Sequence, residues 1–427
     1  MLTMSVLLIS SDCHTGTLDQ YQEYMEEEYR EAYAEYVGGF GFRLNKENVK
    51  GVLANAPFFF YPDRIIDEYH GQLEDRQAWA AAGSAERLSI LEREGYVGEI
   101  LFPDAAVPFS GQFGGFGGYG GLDARTVELA LAGQRAFNRR LADLIDPSRQ
   151  VGCAVVSYAD VDAAVATVHK AAEDGMRAVL LDGVDPSFPV FNEPIISPKY
   201  EPMWSAIEET GLVAQFHVGA GAPFPYYPPE IPREIAQIEI PSWSHRVLWW
   251  LIWGGVLERH PQMHCAFTEM GTAWVAQALR FMDWQWEGVN ASRYARREMR
   301  LPIKPSDYWK RQCFTGASLL SLEDLEARDF LDPSTIMYGT DYAHPEGTWS
   351  RTHPYLRRAF SETNCNEDEV RAICGENAVR CYRFDLDVLT PIAERVGPTV
   401  ESLLTPGDES LDDDELRILT RPDFIGM

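Results

Sequence analysis

Short apolar runs alternate with longer segments of helical composition along most of the chain. Such alternation is typical of parallel βαβ units, in which each strand is followed by a crossover helix. Eight apolar runs occur, and eight repeats favour closure into a barrel over an open sheet. We therefore predict the α/β class and a (β/α)8 TIM barrel with inserted loops and a C-terminal extension. The predicted strands are residues 6–14, 97–103, 151–158, 177–182, 212–217, 263–269, 312–316 and 335–341.

Two segments interrupt the alternation and are predicted to be irregular loops. Between about residues 38 and 80 the regular pattern is lost, and this insertion carries the aromatic run 58–61. Such a run either roofs a pocket or packs as a satellite core under a long loop. Residues 111–121 read GQFGGFGGYGG, and so many glycines disfavour any regular element. The interleaved aromatic rings favour a mobile lid, with a plain flexible loop as the alternative.

By composition the chain divides into a barrel of residues 1–385 and an acidic extension of residues 386–427. Residues 406–415 are so rich in Asp and Glu that we expect a solvated surface segment there. Residues 416–424 are more apolar and pack either on the barrel or on a neighbouring subunit. A symmetric homodimer is the expected assembly, because symmetric dimers are the commonest oligomers.

Composition narrows the class of partner. The chain is 45% hydrophobic and 24% charged, which is the balance of a globular protein, and its formal net charge is -28. That charge disfavours nucleic acid as a partner, because binding to it depends on Lys and Arg side chains that neutralise phosphates. The seven cysteines show no paired spacing, and no apolar stretch reaches the roughly 18 residues of a membrane span. We predict a cytoplasmic protein with reduced cysteines, no membrane partner and a small-molecule substrate.

Acidic and imidazole side chains lie at the ends of the predicted strands. Asp12 and His14 are two residues apart on the first strand, so both point to the same face. His217, Glu269 and Asp341 end the fifth, sixth and eighth strands, and barrel enzymes carry their chemistry at this end. Two imidazoles and three carboxylates in one place repel strongly unless a cation balances them. We predict a site for one or two divalent ions, with zinc, iron and manganese as candidates.

Five motifs surround or follow these residues. They are Ser10-Ser-Asp12-Cys-His14, Phe216-His217-Val-Gly-Ala-Gly221, His260-Pro-Gln-Met-His-Cys-Ala-Phe-Thr-Glu269-Met-Gly-Thr-Ala-Trp274, Tyr338-Gly-Thr-Asp341-Tyr-Ala-His344-Pro-Glu346 and Gly375-Glu-Asn377-Ala378. Together, over roughly residues 6–385, they resemble the amidohydrolase superfamily, in particular its amidohydrolase-2 branch. That branch includes metal-dependent hydrolases and non-oxidative decarboxylases of aromatic acids.

The resemblance implies roles for four of the strand-end residues. Asp12, His14, His217 and Asp341 are the implied metal ligands, and Asp341 is also implied to take a proton from metal-bound water. One departure lies on the first strand, where many relatives carry His-x-His and this chain has an aspartate first, as in a known sub-branch.

A second departure follows the sixth strand. Decarboxylases of the branch usually present a histidine there, and this chain has Glu269. His245 and His344 are the candidates for a replacement imidazole. The fourth strand ends in Asp182 and lacks the lysine that bridges two metals in some relatives, a bridging role that Glu269 is able to take.

Metal-assisted hydrolysis is the main function predicted from the sequence. A divalent ion lowers the pKa of bound water toward ~7, so hydroxide is available to attack a carboxyl-derived bond. Asp341 or Glu269 acts as general base beside His217. The expected substrate is a bulky, largely apolar ester, thioester or amide, with Arg64 or Arg246 receiving any anionic group. The predicted substrate-contacting residues are Phe59, Phe113, Phe116, Tyr227, His344 and Trp349.

Two alternatives remain open from the sequence. The first keeps the fold and the metal but changes the reaction to non-oxidative decarboxylation of an aromatic acid, in which the metal holds the carboxylate and a neighbouring hydroxyl. The absence of a histidine after the sixth strand counts against it. The second is a non-enzymatic barrel that binds a small ligand and keeps relic metal ligands, because fold alone does not imply function.

Overall fold

Eight parallel strands form one sheet in the order β1 to β8, each strand hydrogen bonded to the next. The computed structural model describes residues 5–16, 20–39, 45–54, 63–81, 83–104, 107–109, 124–157, 159–183, 193–219, 221, 231–294, 300–407 and 410–422. The strands are β1 (Leu8–Thr15), β2 (Tyr96–Pro103), β3 (Gln150–Val156), β4 (Ala178–Leu181), β5 (Val213–His217), β6 (Cys265–Thr268), β7 (Cys313–Ser318) and β8 (Ile336–Gly339). All eight overlap the strands predicted from the sequence.

Helices connect the strands and extend beyond the barrel. Those up to β4 are α1 (Arg30–Gly39), α2 (Val49–Ala54), α3 (Asp63–Ala81), α4 (Ser84–Leu91), α5 (Ala124–Leu144) and α6 (Val161–Glu173). Those from β4 to β8 are α7 (Glu201–Thr210), α8 (Arg233–Trp253), α9 (Val256–Arg259), α10 (Ala273–Ala291), α11 (Pro305–Gln312), α12 (Leu322–Glu326) and α13 (Arg328–Leu331). After β8 come α14 (Thr352–Glu362), α15 (Glu367–Arg371), α16 (Asn377–Tyr382), α17 (Leu386–Val396), α18 (Val400–Leu404) and α19 (Asp413–Leu419).

The first and last strands meet, so the sheet is nearly closed. The backbone N–H of His14 donates to the carbonyl of Tyr342 at 2.7 Å, and the N–H of Asp341 donates to the carbonyl of Asp12 at 3.0 Å. A parallel bridge joins Cys13 to Tyr342 at the same place. The predicted (β/α)8 TIM barrel is therefore confirmed.

Every residue of the eight strands is buried. This pattern follows from the architecture, because a parallel strand has helices on one face and the barrel interior on the other. The apolar runs of the sequence are continuous rather than alternating for the same reason. At the C-terminal ends of the strands, polar and acidic residues replace the apolar ones.

Part of the insertion between about residues 38 and 80 is helical. The sequence predicts an irregular segment there, and the structure instead contains α2 and α3. The long helix α3 contacts β1, and Ile66 and Leu73 on it form a small separate core with Val49 of α2. The aromatic run 58–61 and the glycine-rich loop 111–121 lie outside the described residues.

The described part of the acidic extension packs on the barrel. The guanidinium of Arg351, just before α14, pairs with Glu415 of α19, and its Nη2 also donates to the carbonyl of Ser410 at 3.0 Å. Leu419 is fully buried in the main core. Within the described ranges, no helix has both the length and the apolar character that crossing a membrane requires.

Candidate metal centre

Five side chains predicted from the sequence meet at the C-terminal mouth of the barrel. Asp12 and His14 belong to β1 and His217 ends β5, while Glu269 and Asp341 lie one and two residues beyond β6 and β8. Asp12 and Asp341 are fully buried, and the other three side chains are almost so. The strand ends therefore place two imidazoles and three carboxylates in one buried space.

The distances between these groups are those of a compact donor cluster. His14 Nε2 lies 3.4 Å from Asp12 Oδ1 and 3.1 Å from Asp341 Oδ1. On the other side, His217 Nε2 lies 3.5 Å from Asp12 Oδ1 and 3.3 Å from Glu269 Oε2. One oxygen or nitrogen from each of Asp12, His14, His217 and Glu269 lies within 4.8 Å of the others.

Left-handed backbone conformations aim two of the carboxylates. Glu269 and Asp341 both have a φ of 57°, a region that costs an L-residue about 1–2 kcal/mol. Residues held in sparsely populated backbone regions concentrate at functional sites, where the surrounding fold enforces them. Each of these residues follows the end of its strand, and its own carboxylate lies in the cluster. The sequence does not indicate this conformation, because neither position is glycine.

Neighbouring polar groups fix the orientation of Asp12 and His14. His14 Nδ1 donates to the carbonyl of Pro103 at 2.9 Å, which leaves Nε2 to face the carboxylates. The hydroxyl of Ser318 donates to Asp12 Oδ2. Gly339 lies so close that a Cβ there would be 2.8 Å from the Cβ of Asp12. Such supporting contacts hold metal ligands in position in known sites, and no sequence pattern points to Ser318 or Gly339.

Electrostatics of the cluster match a site built around positive charge. Burial alone would lower the pKa of His14, but the carboxylates of Asp12 and Asp341 raise it to about 10. Burial alone would raise the pKa of Asp12, yet His217 and His14 lower it well below its ordinary value. Burial and the nearby charges of Asp341 and Asp12 raise the pKa of Glu269 well above its ordinary value. Without a cation, His14 and Glu269 hold protons more tightly than usual, while Asp12 stays ionised.

Buried atoms without hydrogen bonds test whether a cation fits. Among the described residues, Asp12 Oδ1, His14 Nε2 and both carboxylate oxygens of Asp341 are buried and have no hydrogen-bond partner. Leaving buried polar atoms unsatisfied is costly, and all of them face the cluster. Two imidazole nitrogens and several carboxylate oxygens form a donor set suited to zinc, iron or manganese. The residues present therefore fit a divalent metal.

His344 and Glu346 enlarge the cluster beyond the five predicted strand-end residues. His344 Nδ1 is 2.9 Å from Asp341 Oδ1, its Nε2 is 3.2 Å from Asp104 Oδ1, and its ring stacks on that of His14 with centroids 4.0 Å apart. Donor atoms of His14, Asp341 and His344 form one further group within 4.8 Å, and those of Glu269, Asp341 and Glu346 another. The sequence predicts His344 as a substrate contact and indicates no role for Glu346.

The predicted aromatic pocket is only partly described. Phe59, Phe113, Phe116 and Tyr227 lie outside the described residues. Trp349 is present and packs against the ring of Tyr342 with centroids 5.4 Å apart. Phe102 also lines the centre, with its ring centroid 4.7 Å from that of His217. The sequence does not single out this ring.

His245 takes no part in the described cluster. Its ring stacks on Trp274 with centroids 3.9 Å apart, and its Nε2 donates to the carbonyl of Met270 at 3.0 Å. Burial lowers its pKa to about 4. Of the two histidines considered as replacement imidazoles, only His344 lies at the cluster, and His245 is a neutral core histidine.

The low pKa of His245 predicts a pH-dependent loss of stability. Unfolded histidine takes up a proton near pH 6.5, whereas the folded group resists it until about pH 4, so acidification favours the unfolded chain. His245→Phe keeps an aromatic ring against Trp274 and removes the titration. Between pH 7 and pH 5, we expect the free energy of unfolding, measured by urea denaturation, to fall by about 2 kcal/mol more in wild type than in the variant. Equal losses in the two proteins would show that His245 titrates normally.

The fold and the cluster define a (β/α)8 barrel with a metal-competent centre at its mouth. Comparison with known proteins shows to which family this chain belongs. The profile of the amidohydrolase family matches residues 110–384, about two thirds of the chain. The chain therefore belongs to the amidohydrolase family, and it is an enzyme of that superfamily. The matched segment begins after Asp12, His14 and Asp104 and includes the other acidic and imidazole residues of the site. No curated protein matches the chain significantly.

Solved structures share the fold at low sequence identity. An amidohydrolase from Mycobacterium avium subsp. paratuberculosis K-10 is 16% identical over 88% of this chain and 98% of its own, with a TM-score of 0.64. A 5-carboxyvanillate decarboxylase from Novosphingobium aromaticivorans DSM 12444, complexed with manganese and 4-hydroxy-3-methoxy-5-nitrobenzoic acid, is 16% identical over 89% of this chain and 97% of its own, with a TM-score of 0.60. A 2,6-dihydroxybenzoate decarboxylase complexed with 2,6-dihydroxybenzoate is 17% identical over 88% and 99%, with a TM-score of 0.58.

Proposed function

We propose that this chain is a metal-dependent decarboxylase that releases CO₂ from an aromatic acid carrying a neighbouring hydroxyl group. The observation that carries the proposal is a buried guanidinium, that of Arg76, beside the metal-competent cluster. A buried cation near a metal centre favours a substrate that brings its own carboxylate over a neutral ester or amide. The similarity to solved structures of decarboxylases supports the same reading.

Arg76 reaches the site from helix α3 in the insertion. Its Nη1 donates to the carbonyls of Ala343 and His344 at 3.3 Å each, and its Nε donates to Gln72 at 3.3 Å. Within the described part of the chain, no carboxylate forms a direct ion pair with Arg76. Burial lowers the pKa of the guanidinium, although the nearby Glu68 and Glu346 favour its charged form. A buried charge is costly unless it is paired. An anionic substrate group would supply a direct ion pair.

Asp12, His14, His217 and Asp341 are the residues that would hold the metal, with manganese the favoured ion because decarboxylases of this fold are complexed with it. When bound, a divalent metal supplies Lewis-acid polarisation and orients the acid and its neighbouring hydroxyl. Arg76 would hold the anionic group at the rim. Phe102 would lie against the aromatic ring of the substrate.

The protein must also deliver a proton. Decarboxylation breaks the bond between the ring carbon and the carboxylate, the electron pair stays on the ring carbon, and that carbon takes up a proton as CO₂ leaves. Asp341 would deliver this proton from its carboxyl group. His344 contacts both Asp341 and the partly exposed Asp104, so it is placed to return a proton from the mouth of the site.

Hydrolysis of a carboxyl-derived bond is the second candidate. The observation that favours it is Glu269, whose carboxylate follows β6 where decarboxylases of the branch usually carry a histidine. A carboxylate there is suited to act as a general base toward water. The buried Arg76 and the similarity to decarboxylases favour the first candidate over this one.

A substrate panel separates the two candidates. Purified protein loaded with manganese is incubated with 2,6-dihydroxybenzoate, with 5-carboxyvanillate and with phenyl acetate, and products and CO₂ are quantified. We expect metal-dependent CO₂ release from at least one of the acids and no hydrolysis of phenyl acetate at a comparable rate. Hydrolysis of phenyl acetate without CO₂ release from either acid would reverse the order of the candidates.

Arg76 is predicted to control binding of the acid rather than the chemical step. Arg76→Gln should raise KM for the decarboxylated acid by at least about tenfold, since a lost charge-assisted hydrogen bond costs about 1.5–3 kcal/mol. Manganese content should not change. Arg76→Lys keeps the charge but not the planar guanidinium, so its KM should lie between those of wild type and Arg76→Gln. An unchanged KM in Arg76→Gln, with equal loss of stability in both variants, would assign Arg76 a purely structural role.

A further inference from the structure

The loop that follows β8 is closed on itself by contacts between its two ends. It runs from Thr340 to Arg351 and carries Asp341 and His344. The N–H of Thr348 donates to the carbonyl of Thr340 at 3.1 Å, and the N–H of Arg351 donates to the carbonyl of Thr348 at 2.7 Å. The hydroxyls of Thr340 and Thr348 are also 3.1 Å apart. The far end of the loop is therefore linked, through Thr348, to the residue that precedes Asp341.

The C-terminal extension reaches this loop at Arg351. Its Nε and Nη2 pair with the two carboxylate oxygens of Glu415 on α19, and Nη2 also donates to the carbonyl of Ser410 at 3.0 Å. A two-point pair of this kind fixes the relative orientation of the two groups. The Arg351 side chain is 45% exposed, and pairs this exposed add little to global stability. The barrel holds the same end of the loop through Glu94, whose carboxylate accepts the N–H of Thr352 at 3.2 Å, so the pair acts as a second, local anchor.

The carboxylate of Glu415 is itself held in place. Its Oε2 accepts the N–H of Asp412 at 2.9 Å, and its own N–H donates to Asp412 Oδ1 at 2.9 Å. This reciprocal arrangement is a capping box at the start of α19. Leu411 and Leu419, at the two ends of the segment, are buried in the main core. The carboxylate that faces Arg351 is therefore presented by a segment that is anchored to the barrel at both ends.

We propose that Arg351 and Glu415 are positioning residues, through which the C-terminal extension holds the loop that carries Asp341 and His344. Neither belongs to the donor groups at the mouth of the barrel, so both act through the loop. The segment that matches the family profile ends at residue 384, and the extension that supplies Glu415 lies beyond it. The inference concerns the position of the loop, and its kinetic consequence alone rests on the decarboxylation proposed above.

Glu415→Gln tests the ion pair by itself, because glutamine keeps an oxygen for the N–H of Asp412 and loses the charge. Backbone hydrogen exchange is followed by mass spectrometry on manganese-loaded protein, for residues 342–350 and for β5. We expect exchange in the loop to be about two- to fivefold faster in the variant, the range for loss of an exposed ion pair, with β5 unchanged. For an acid that wild type decarboxylates, kcat should fall by a similar factor and KM should not change, because the proposed proton donor is displaced and Arg76 is not.

Variants of Arg351 separate the pair from other effects of the substitution. Arg351→Lys keeps the charge, so its loop exchange and kcat should lie between those of wild type and Arg351→Gln. The double variant Arg351→Gln/Glu415→Gln should be no worse than either single variant, as expected for two residues that act through one contact. Glu362→Gln breaks the exposed pair with Arg358 within α14 and should behave like wild type.

Exchange and kinetics in Glu415→Gln equal to those of wild type would overturn the positioning role, and so would an equal acceleration of exchange in β5. Exchange is measured without substrate, so it decides the proposal whichever reaction the protein catalyses. Decarboxylation with unchanged loop exchange would overturn the positioning role alone. Faster loop exchange in a protein that decarboxylates neither acid would support the positioning role and overturn the proposed reaction.

Discussion

Replacing Asp341 with asparagine is expected to lower kcat/KM for decarboxylation by on the order of 10²–10³-fold or more, without unfolding the protein. Removing one preorganised electrostatic group typically costs that much. Asp341 is fully buried, contacts His14 and His344, and has two carboxylate oxygens without hydrogen bonds in the described structure. Asparagine has the same shape as aspartate, but on the proposed mechanism it supplies neither the negative charge that would hold the metal nor the proton for the ring carbon.

Metal content, thermal unfolding and a matched control variant show whether Asp341→Asn acts through the site. The manganese content per chain should fall in the variant. Its unfolding temperature without metal should be at least as high as that of wild type, because one buried negative charge is gone. Asp162→Asn, an identical change at an exposed position of α6, should leave both activity and metal content unchanged. Activity of Asp341→Asn within tenfold of wild type would exclude Asp341 from the reaction.

Replacing Arg87 with methionine is expected to destabilise the fold by about 3–5 kcal/mol, the usual cost of removing one partner of a buried ion pair. Arg87 on α4 and Glu99 on β2 are both fully buried. Arg87 Nε and Nη2 donate to the Glu99 carboxylate at 2.9–3.0 Å, and Gln150 Nε2 donates to Glu99 Oε1 at 2.7 Å. In Arg87→Met the carboxylate is left buried with one remaining neutral donor.

A double variant distinguishes the pair from simple packing. In Arg87→Met/Glu99→Leu both charges are gone, and we expect stability to return to within about 1–2 kcal/mol of wild type, because apolar replacement of buried ion pairs is often neutral. Chemical denaturation of the three proteins measures these differences. If Arg87→Met alone loses less than about 1 kcal/mol, the Glu99 carboxylate does not depend on the guanidinium.

This ion pair also supports the mouth of the barrel. Arg87 Nη2 approaches the carbonyl of Tyr342 at 3.4 Å, and its guanidinium lies over the Tyr342 ring at 5.0 Å. The same carbonyl accepts the backbone N–H of His14. The loop that carries Asp341 and His344 is thus anchored to β1 and to α4. An isolated sequence pattern does not reveal such an anchor, since Arg87 and Tyr342 are far apart along the chain.

The barrel and five members of its candidate site are predictable from the sequence because periodicity and strand ends are local properties. A buried parallel strand reads as a continuous apolar run, and its last residues face the mouth. The sequence alone therefore brings Asp12, His14, His217, Glu269 and Asp341 together at one end of the barrel. Their roles as metal ligands and catalytic groups remain proposals that the experiments above address.

Other features depend on contacts between distant segments and are not predictable from sequence patterns. The loss of a regular pattern predicts an irregular insertion, yet α3 brings Arg76 to the carbonyls of Ala343 and His344. The sequence suggests Arg64 and Arg246 instead as the arginines that receive an anion. Arg246 lies over the Trp243 ring at 4.7 Å, and the side chain of Arg64 lies outside the described residues.

Deuterium incorporation from the solvent distinguishes the proposed metal-dependent decarboxylation from hydrolysis. Protein loaded with manganese is incubated in D₂O with 2,6-dihydroxybenzoate and with 5-carboxyvanillate, and the products are identified by mass spectrometry. The proposed function predicts a product that has lost CO₂ and carries one deuterium on the carbon that bore the carboxylate, absent after chelation of the metal. Full recovery of both acids without deuterium, from protein that retains its metal and cleaves phenyl acetate, would contradict it.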